Sequence, residues 1–142
     1  MPITKGFKVP DTAAHLTLPA NPATPLYLAF IASADPATGQ PWCPDVRAAL
    51  PYLDAAFAGD TRPHLTIIEV GQKPQWKDPK NPFRTKWNIH NVPALVRYQR
   101  VDGAAPAETG RLMEGEILDE KRLYEFIGQT TRLDDLEIGR VE

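Results

Sequence analysis

The 142-residue chain carries 16 basic and 18 acidic side chains, a net charge of −2, 42% hydrophobic residues and a single cysteine. One cysteine excludes an intramolecular disulfide scaffold, and the balanced charge gives no electrostatic reason to expect nucleic acid or an anionic membrane as partner. The length suits one domain over residues 1–142, able to bury roughly two-thirds of its unfolded surface without disulfide or metal.

The first eight residues, Met1 to Lys8, lack an apolar core of the secretory type, so no leader is expected there. No apolar run approaches the length of a membrane span. A lone thiol fits a reducing compartment, and the cytosol is the expected location.

The segment up to Pro25 is rich in proline. Within it, Lys5 to Val9 reads as a short edge strand and Asp11 to Leu18 as a short helix capped by Asp11. Leu26 to Ala32 is a continuous apolar run of strand length, which predicts a strand buried on both faces. A polar loop from Ser33 to Gln40 leads to Pro41-Trp42-Cys43-Pro44-Asp45. From Pro44 to Ala58 the apolar residues Val46, Ala49, Leu50, Leu53, Ala56 and Phe57 recur at helical spacing. Pro44 suits the first turn, Pro51 is expected to kink the helix, and Gly59 is a natural stop.

His64 to Val70 is rich in β-branched residues and reads as a second buried strand. Gly71 to Pro82 reads as a polar loop, after which Asn81 can cap a short helix from Pro82 to Trp87. Ala94 to Val101 reads as a strand, Asp102 to Gly110 as a loop, and Arg111 to Ile117 as the hairpin partner. Asp119 then caps a helix with Leu123, Phe126 and Ile127 on its apolar face. Residues 129–142 read as a tail. The order β–α–β–α–β–β–α, with a right-handed crossover joining the buried strands, predicts an α/β fold: a central mixed sheet with helices on both faces.

Cys43 lies where a buried strand gives way to a helix. A thiol at a helix N-terminus faces unpaired N–H groups and a positive partial charge, and both favour the nucleophilic thiolate. The competing reading is a buried, inert cysteine, the common fate of lone cysteines. His15, His64 and His90 are far apart and share no ligand spacing with Cys43, so no zinc site is expected, and no cofactor is implied.

Trp42-Cys43-Pro44-Asp45 resembles the front of the WCPDC motif of the small cytosolic thioredoxin-related proteins. Val70 to Asn81, with its Trp76-Lys77-Asp78-Pro79 element, is similar to that family's characteristic loop, and Val92-Pro93-Ala94-Leu95 to its cis-proline loop. The resemblance runs from about Leu26 to Tyr98; residues 1–25 and those beyond Val101 match poorly. It implies a thioredoxin-like fold, with Cys43 as the attacking thiol. Trp42, Pro44, Asp45, Val92 and Pro93 would then border a substrate groove, Pro93 in cis opposite Cys43. The alternative for Trp42 is a packed core residue, and for Asp45 a charge favoured at a helix start; Trp76, Lys77 and Asp78 read equally as shaping the surface near the site or as anchoring the loop. His90 could edge the groove or be merely solvated.

One departure changes the expected chemistry. Where the motif has its second cysteine, this chain has Val46, and the strand at Leu26 to Ala32 carries no acidic residue. Val46 cannot resolve a mixed disulfide on Cys43, so an external thiol must. The expected activity is that of a monothiol disulfide reductase acting on disulfide-bearing or thiol-adducted proteins or small molecules. Glutathione or a thioredoxin reductase system would supply electrons. The alternative is a redox-inactive thioredoxin-fold module that binds a protein without turnover.

Overall fold

The computed structural model describes residues 3–5, 9–18, 24–59 and 63–128. Its centre is the apolar run expected to be a doubly buried strand: β2, Leu26–Ile31, has all six residues buried. The next strand, β3 (Leu65–Glu69), runs parallel to it, Tyr27 opposite Leu65 and Ile31 opposite Glu69. Parallel neighbours need a crossover, and α1 (Pro44–Phe57) supplies it. β4 (Ala94–Gln99) pairs antiparallel on the other side of β2, and β5 (Ala107–Met113) antiparallel to β4. A two-residue β1 (Ile3–Thr4) lies parallel to β3, so the order is β1-β3-β2-β4-β5.

Alternation along β2 divides the core, because residues an odd number apart point to opposite faces. Tyr27 packs edge-on against Phe57 of α1 and against Phe126 of α4 (Glu120–Phe126), with ring centroids 5.4 and 5.8 Å apart. Phe30, on the opposite face, packs against Phe83 of α3 (Pro82–Thr85) and against Trp87, which in turn meets Tyr98. Helices therefore cover both faces, as expected.

The departures are local. The strand at this end is Ile3–Thr4; of the strand expected at Lys5 to Val9, Lys5 and Val9 lie outside any strand and residues 6–8 lie outside the described residues. The helix expected over Asp11 to Leu18 is a single 3-10 turn, Ala13–His15, preceded by Thr12, not Asp11. Only Leu16 of that stretch is fully buried, with Ala13 and Leu18 partly so, too little apolar surface to hold a longer helix. The loop from Gly71 to Pro82 contains a five-residue helix, α2 (Lys73–Lys77). The hairpin loop is shorter than expected, because Ala107 to Gly110 join β5. The expected partner strand stops at Met113, and Glu114–Leu118 form a 3-10 turn. The tail from residue 129 lies outside the described residues.

Parallel β2 and β3 end at the same edge of the sheet from which antiparallel β4 starts. Open α/β sheets present their sites at the carboxyl ends of parallel strands. Trp42-Cys43, Gly71 and Val92-Pro93 all lie on the segments that leave or enter that edge.

Candidate active site at Cys43

Cys43 is the N-cap residue of α1, with φ −95° and ψ 123°, and its carbonyl accepts the Arg47 N–H at 3.2 Å. Its side chain caps nothing, so the sulfur is not tied to the helix's own amides. Pro44 takes the first helical position, where a missing N–H costs no hydrogen bond. The thiol is partly exposed, and Sγ lies 3.9 Å from the Val92 carbonyl oxygen, to which it donates. At that length the contact is weak, but it fixes which backbone the sulfur faces. The Val92–Pro93 bond is cis. Pro93 is buried, and its carbonyl is occupied by the Glu114 N–H at 2.9 Å.

Trp42 is held from two sides. Its N–H donates to the Ser33 carbonyl at 3.3 Å and its indole Nε1–H to the Gly71 carbonyl at 2.9 Å. Ser33 returns the connection, accepting the Gly71 N–H on Oγ at 3.0 Å. Gly71 sits at φ +112°, where a Cβ would come within 2.9 Å of Gln75 Oε1, so the turn demands glycine. Beyond it, Asn81 staples the loop. Its Nδ2 donates to the Val70 and Gln75 carbonyls, both at 3.0 Å, and its Oδ1 accepts the Phe83 N–H at 2.9 Å.

The remaining expected residues divide cleanly. Asp45 is exposed in the first turn of α1, where a negative charge complements the dipole. Val46, at the position that the resemblance gives to a second thiol, is fully buried and faces the core. His90 is exposed, and its Nε2 pairs with Asn88 Oδ1 at 2.7 Å. Trp76 is buried as a loop anchor, with the Arg84 guanidinium 3.9 Å over its ring. Among the described residues no group of three or more His, Cys, Asp and Glu side chains could hold a metal ion.

Sequence reading missed three supports: Ser33, Gly71 and the full role of Asn81. Asn81 was visible as a helix cap, but its two donated bonds reach backbone that no local pattern identifies. Gly71 carried a signal, since a glycine directly after a buried strand marks a turn of unusual φ.

Residues 4–124 match the family described as thioredoxin domain-containing protein 17-like, thioredoxin domain. The chain belongs to that family. A thioredoxin domain-containing protein of Schizosaccharomyces pombe is 43% identical over 102 residues, which span 72% of this chain and 82% of that protein. Human thioredoxin domain-containing protein 17 is 33% identical over 85 residues, 59% of this chain and 68% of that protein. The thioredoxin-like protein Clot of Oryza sativa is 36% identical over 90 residues, 58% and 63% of the two chains. Trichomonas vaginalis thioredoxin superposes with a TM-score of 0.55 over 89% of this chain and 96% of its own, at 15% identity. Plasmodium falciparum thioredoxin gives 0.50 over 73% and 71%, at 13% identity. At such identities the solved structures speak for the fold, which is that of thioredoxin. Family and fold together make this a thioredoxin-like protein.

Proposed function

We propose that the chain is a monothiol thiol–disulfide oxidoreductase of the protein-disulfide reductase type, acting through Cys43. The carrying observation is one partly exposed thiol at the start of a 14-residue helix, facing the Val92 carbonyl, while Val46 is sealed in the core. The Cys43 thiolate attacks a substrate disulfide. A bond forms between Sγ and one substrate sulfur, the substrate S–S bond breaks, and the second sulfur leaves as a thiolate that takes a proton from water. An external thiol such as glutathione then attacks the mixed disulfide, becomes disulfide-bonded to the substrate, and returns Cys43 as a thiolate. A second external thiol attacks that disulfide at the external thiol's own sulfur, the substrate leaves as a thiol, and the two external thiols end joined as a disulfide, so together they supply the two electrons. The electron source is glutathione or a thioredoxin reductase system.

Trp42 forms an apolar wall beside the sulfur, its orientation set by Gly71 and Ser33. The Val92 backbone pairs with an extended substrate strand, and Pro44 and Pro93 shape the floor. Asp45, at the rim, disfavours acidic segments. The substrates are disulfide-bearing or thiol-adducted proteins or small molecules, the location is the cytosol, and residues 1–142 act as one domain. One test is to mix reduced protein with a glutathionylated peptide, quench in acid and map adducts by mass spectrometry. A mixed disulfide on Cys43 that excess glutathione removes is expected. A folded protein whose Cys43 takes no adduct, although it does so when denatured, contradicts the proposal.

A second reading has its own support. A fully apolar β2 and the buried Val46 leave neither an acid nor a second thiol behind Cys43, as in a binding module without turnover. Partners retained equally by wild type and Cys43→Ser favour that module; covalent partners released by reductant favour exchange.

A further inference from the structure

The segment from Asn88 to Pro93 carries the Val92 carbonyl that faces Cys43, and it is anchored at both ends by β5 and the residue after it. At one end the Glu114 N–H donates to the Pro93 carbonyl at 2.9 Å. At the other, Arg111 Nη1 donates to the Asn88 carbonyl at 3.0 Å. Arg111 can reach back this way because it stands on β5 opposite Val96, beside the strand that the segment enters.

The guanidinium is itself oriented. Glu108 accepts from Nε at 2.6 Å and from Nη2 at 2.5 Å, a two-pronged pairing that leaves Nη1 to aim at Asn88. Both side chains are partly shielded, at 19% exposure for Arg111 and 34% for Glu108, so the pair is screened less than an open surface pair. The backbone gives an independent sign of constraint. Among the described residues only three non-glycines have positive φ, and two of them are Asn88 (+56°) and Glu114 (+48°), the residues at the two anchor points. Asparagine visits that region readily, but a glutamate such as Glu114 holds it only where surrounding contacts enforce it.

We infer that Arg111, oriented by Glu108, is a positioning residue that holds the Asn88–Pro93 segment in the register needed to receive an extended substrate beside Cys43. The inference rests on the exchange reading for its substrate but not for its geometry. Arg111 touches no reacting atom. Its effect falls on substrates long enough to pair with the Val92 backbone, and less on small disulfides that meet only the sulfur.

The test compares wild type, Arg111→Ala and Glu108→Gln, the last retaining size and fold should the first fold poorly. Rates of exchange are measured with an extended peptide disulfide and with hydroxyethyl disulfide, alongside amide hydrogen exchange over residues 88–92. In Arg111→Ala, KM for the peptide should rise about three- to fivefold, a range set by the loss of one partly exposed charged contact. The ratio of peptide to small-disulfide efficiency should fall to match, and Glu108→Gln should shift it the same way by less. Amide exchange at Ile89 to Val92 should quicken about threefold or more. An equal loss with both substrates, or unaltered amide exchange, overturns the inference. If wild type exchanges neither disulfide the exchange reading fails, while the amide measurement still decides whether Arg111 holds the segment.

Discussion

Val46→Cys tests the geometry behind the one-thiol cycle. Residues three apart on an α-helix are separated by a rise of about 4.5 Å and a chord of about 2.3 Å, so their Cα atoms lie about 5 Å apart. That is inside the window of about 4.4–6.8 Å in which a disulfide closes without moving the backbone. Cys43 is the N-cap and Val46 lies in the first turn of α1, so a sulfur at position 46 would stand within reach of Sγ from its buried side. The substitution removes about one methyl's worth of packing from a fully buried site, which should cost on the order of 1 kcal/mol. The variant should fold, and on oxidation its mass should fall by two hydrogen atoms. A mixed disulfide on Cys43 should then be released without added thiol, because a neighbouring thiol acts at an effective concentration of roughly mM or more. Intact-mass spectrometry under oxidising conditions and release of a fluorescent peptide follow the two effects. A folded Val46→Cys protein that forms no internal disulfide and keeps its peptide would refute the placement of position 46 behind the reacting sulfur.

Three further outcomes follow from named contacts. Asn81→Ala strips partners from the Val70 and Gln75 carbonyls and the Phe83 N–H at a buried site; a urea titration should show a loss of about 2–4 kcal/mol. Gly110→Ala places a Cβ 2.9 Å from both Arg97 Nη2 and Phe126 Cε1. Arg97 is fixed there by bonds to the Phe126 and Thr109 carbonyls, so this overpacking should cost about 1–3 kcal/mol in the same titration. Burial raises the phenols of Tyr27 and Tyr98 above the ordinary value of 10.0, against a smaller opposing pull from Arg97 on Tyr27. The unfolded chain therefore loses these protons first. Their contribution should be complete below pH 10 and decline above it by at most about 1.4 kcal/mol per pH unit for each ring. Urea midpoints between pH 8 and 11.5 should drop less steeply for Tyr98→Phe than for wild type.

Much of the fold was legible because its signals are short-range. The apolar run of β2, the β-branched β3, the three-and-four spacing of α1 and the caps of Asn81 and Asp119 each state their structure locally, and both caps bond as expected, to the N–H groups of Phe83 and Arg122. α2 was hidden because five residues give no periodicity. It buries only Trp76 and relies on the Gln75 side chain accepting the Gln72 N–H at 2.7 Å. The first half of β5 was hidden because Ala107, Glu108 and Gly110 have little strand propensity; pairing with β4 overrides it, with a register shift at Arg97/Tyr98. The site was half legible. Trp42 to Asp45 are contiguous, so their helix-start chemistry could be read directly. That Val92, 49 residues away, would face Cys43 is a product of β4 entering the sheet where β2 leaves it, and only resemblance to a family could suggest it. The Ser33–Gly71–Trp42 bonds and the Glu108–Arg111–Asn88 chain join segments with no shared pattern.

The most direct measurement is the rate at which catalytic amounts of protein reduce a peptide disulfide as glutathione concentration is raised. A one-thiol cycle predicts no turnover without glutathione, a rate that climbs with it, and no rate above the uncatalysed background for Cys43→Ser. Equal rates for wild type and Cys43→Ser across the whole glutathione range would contradict it.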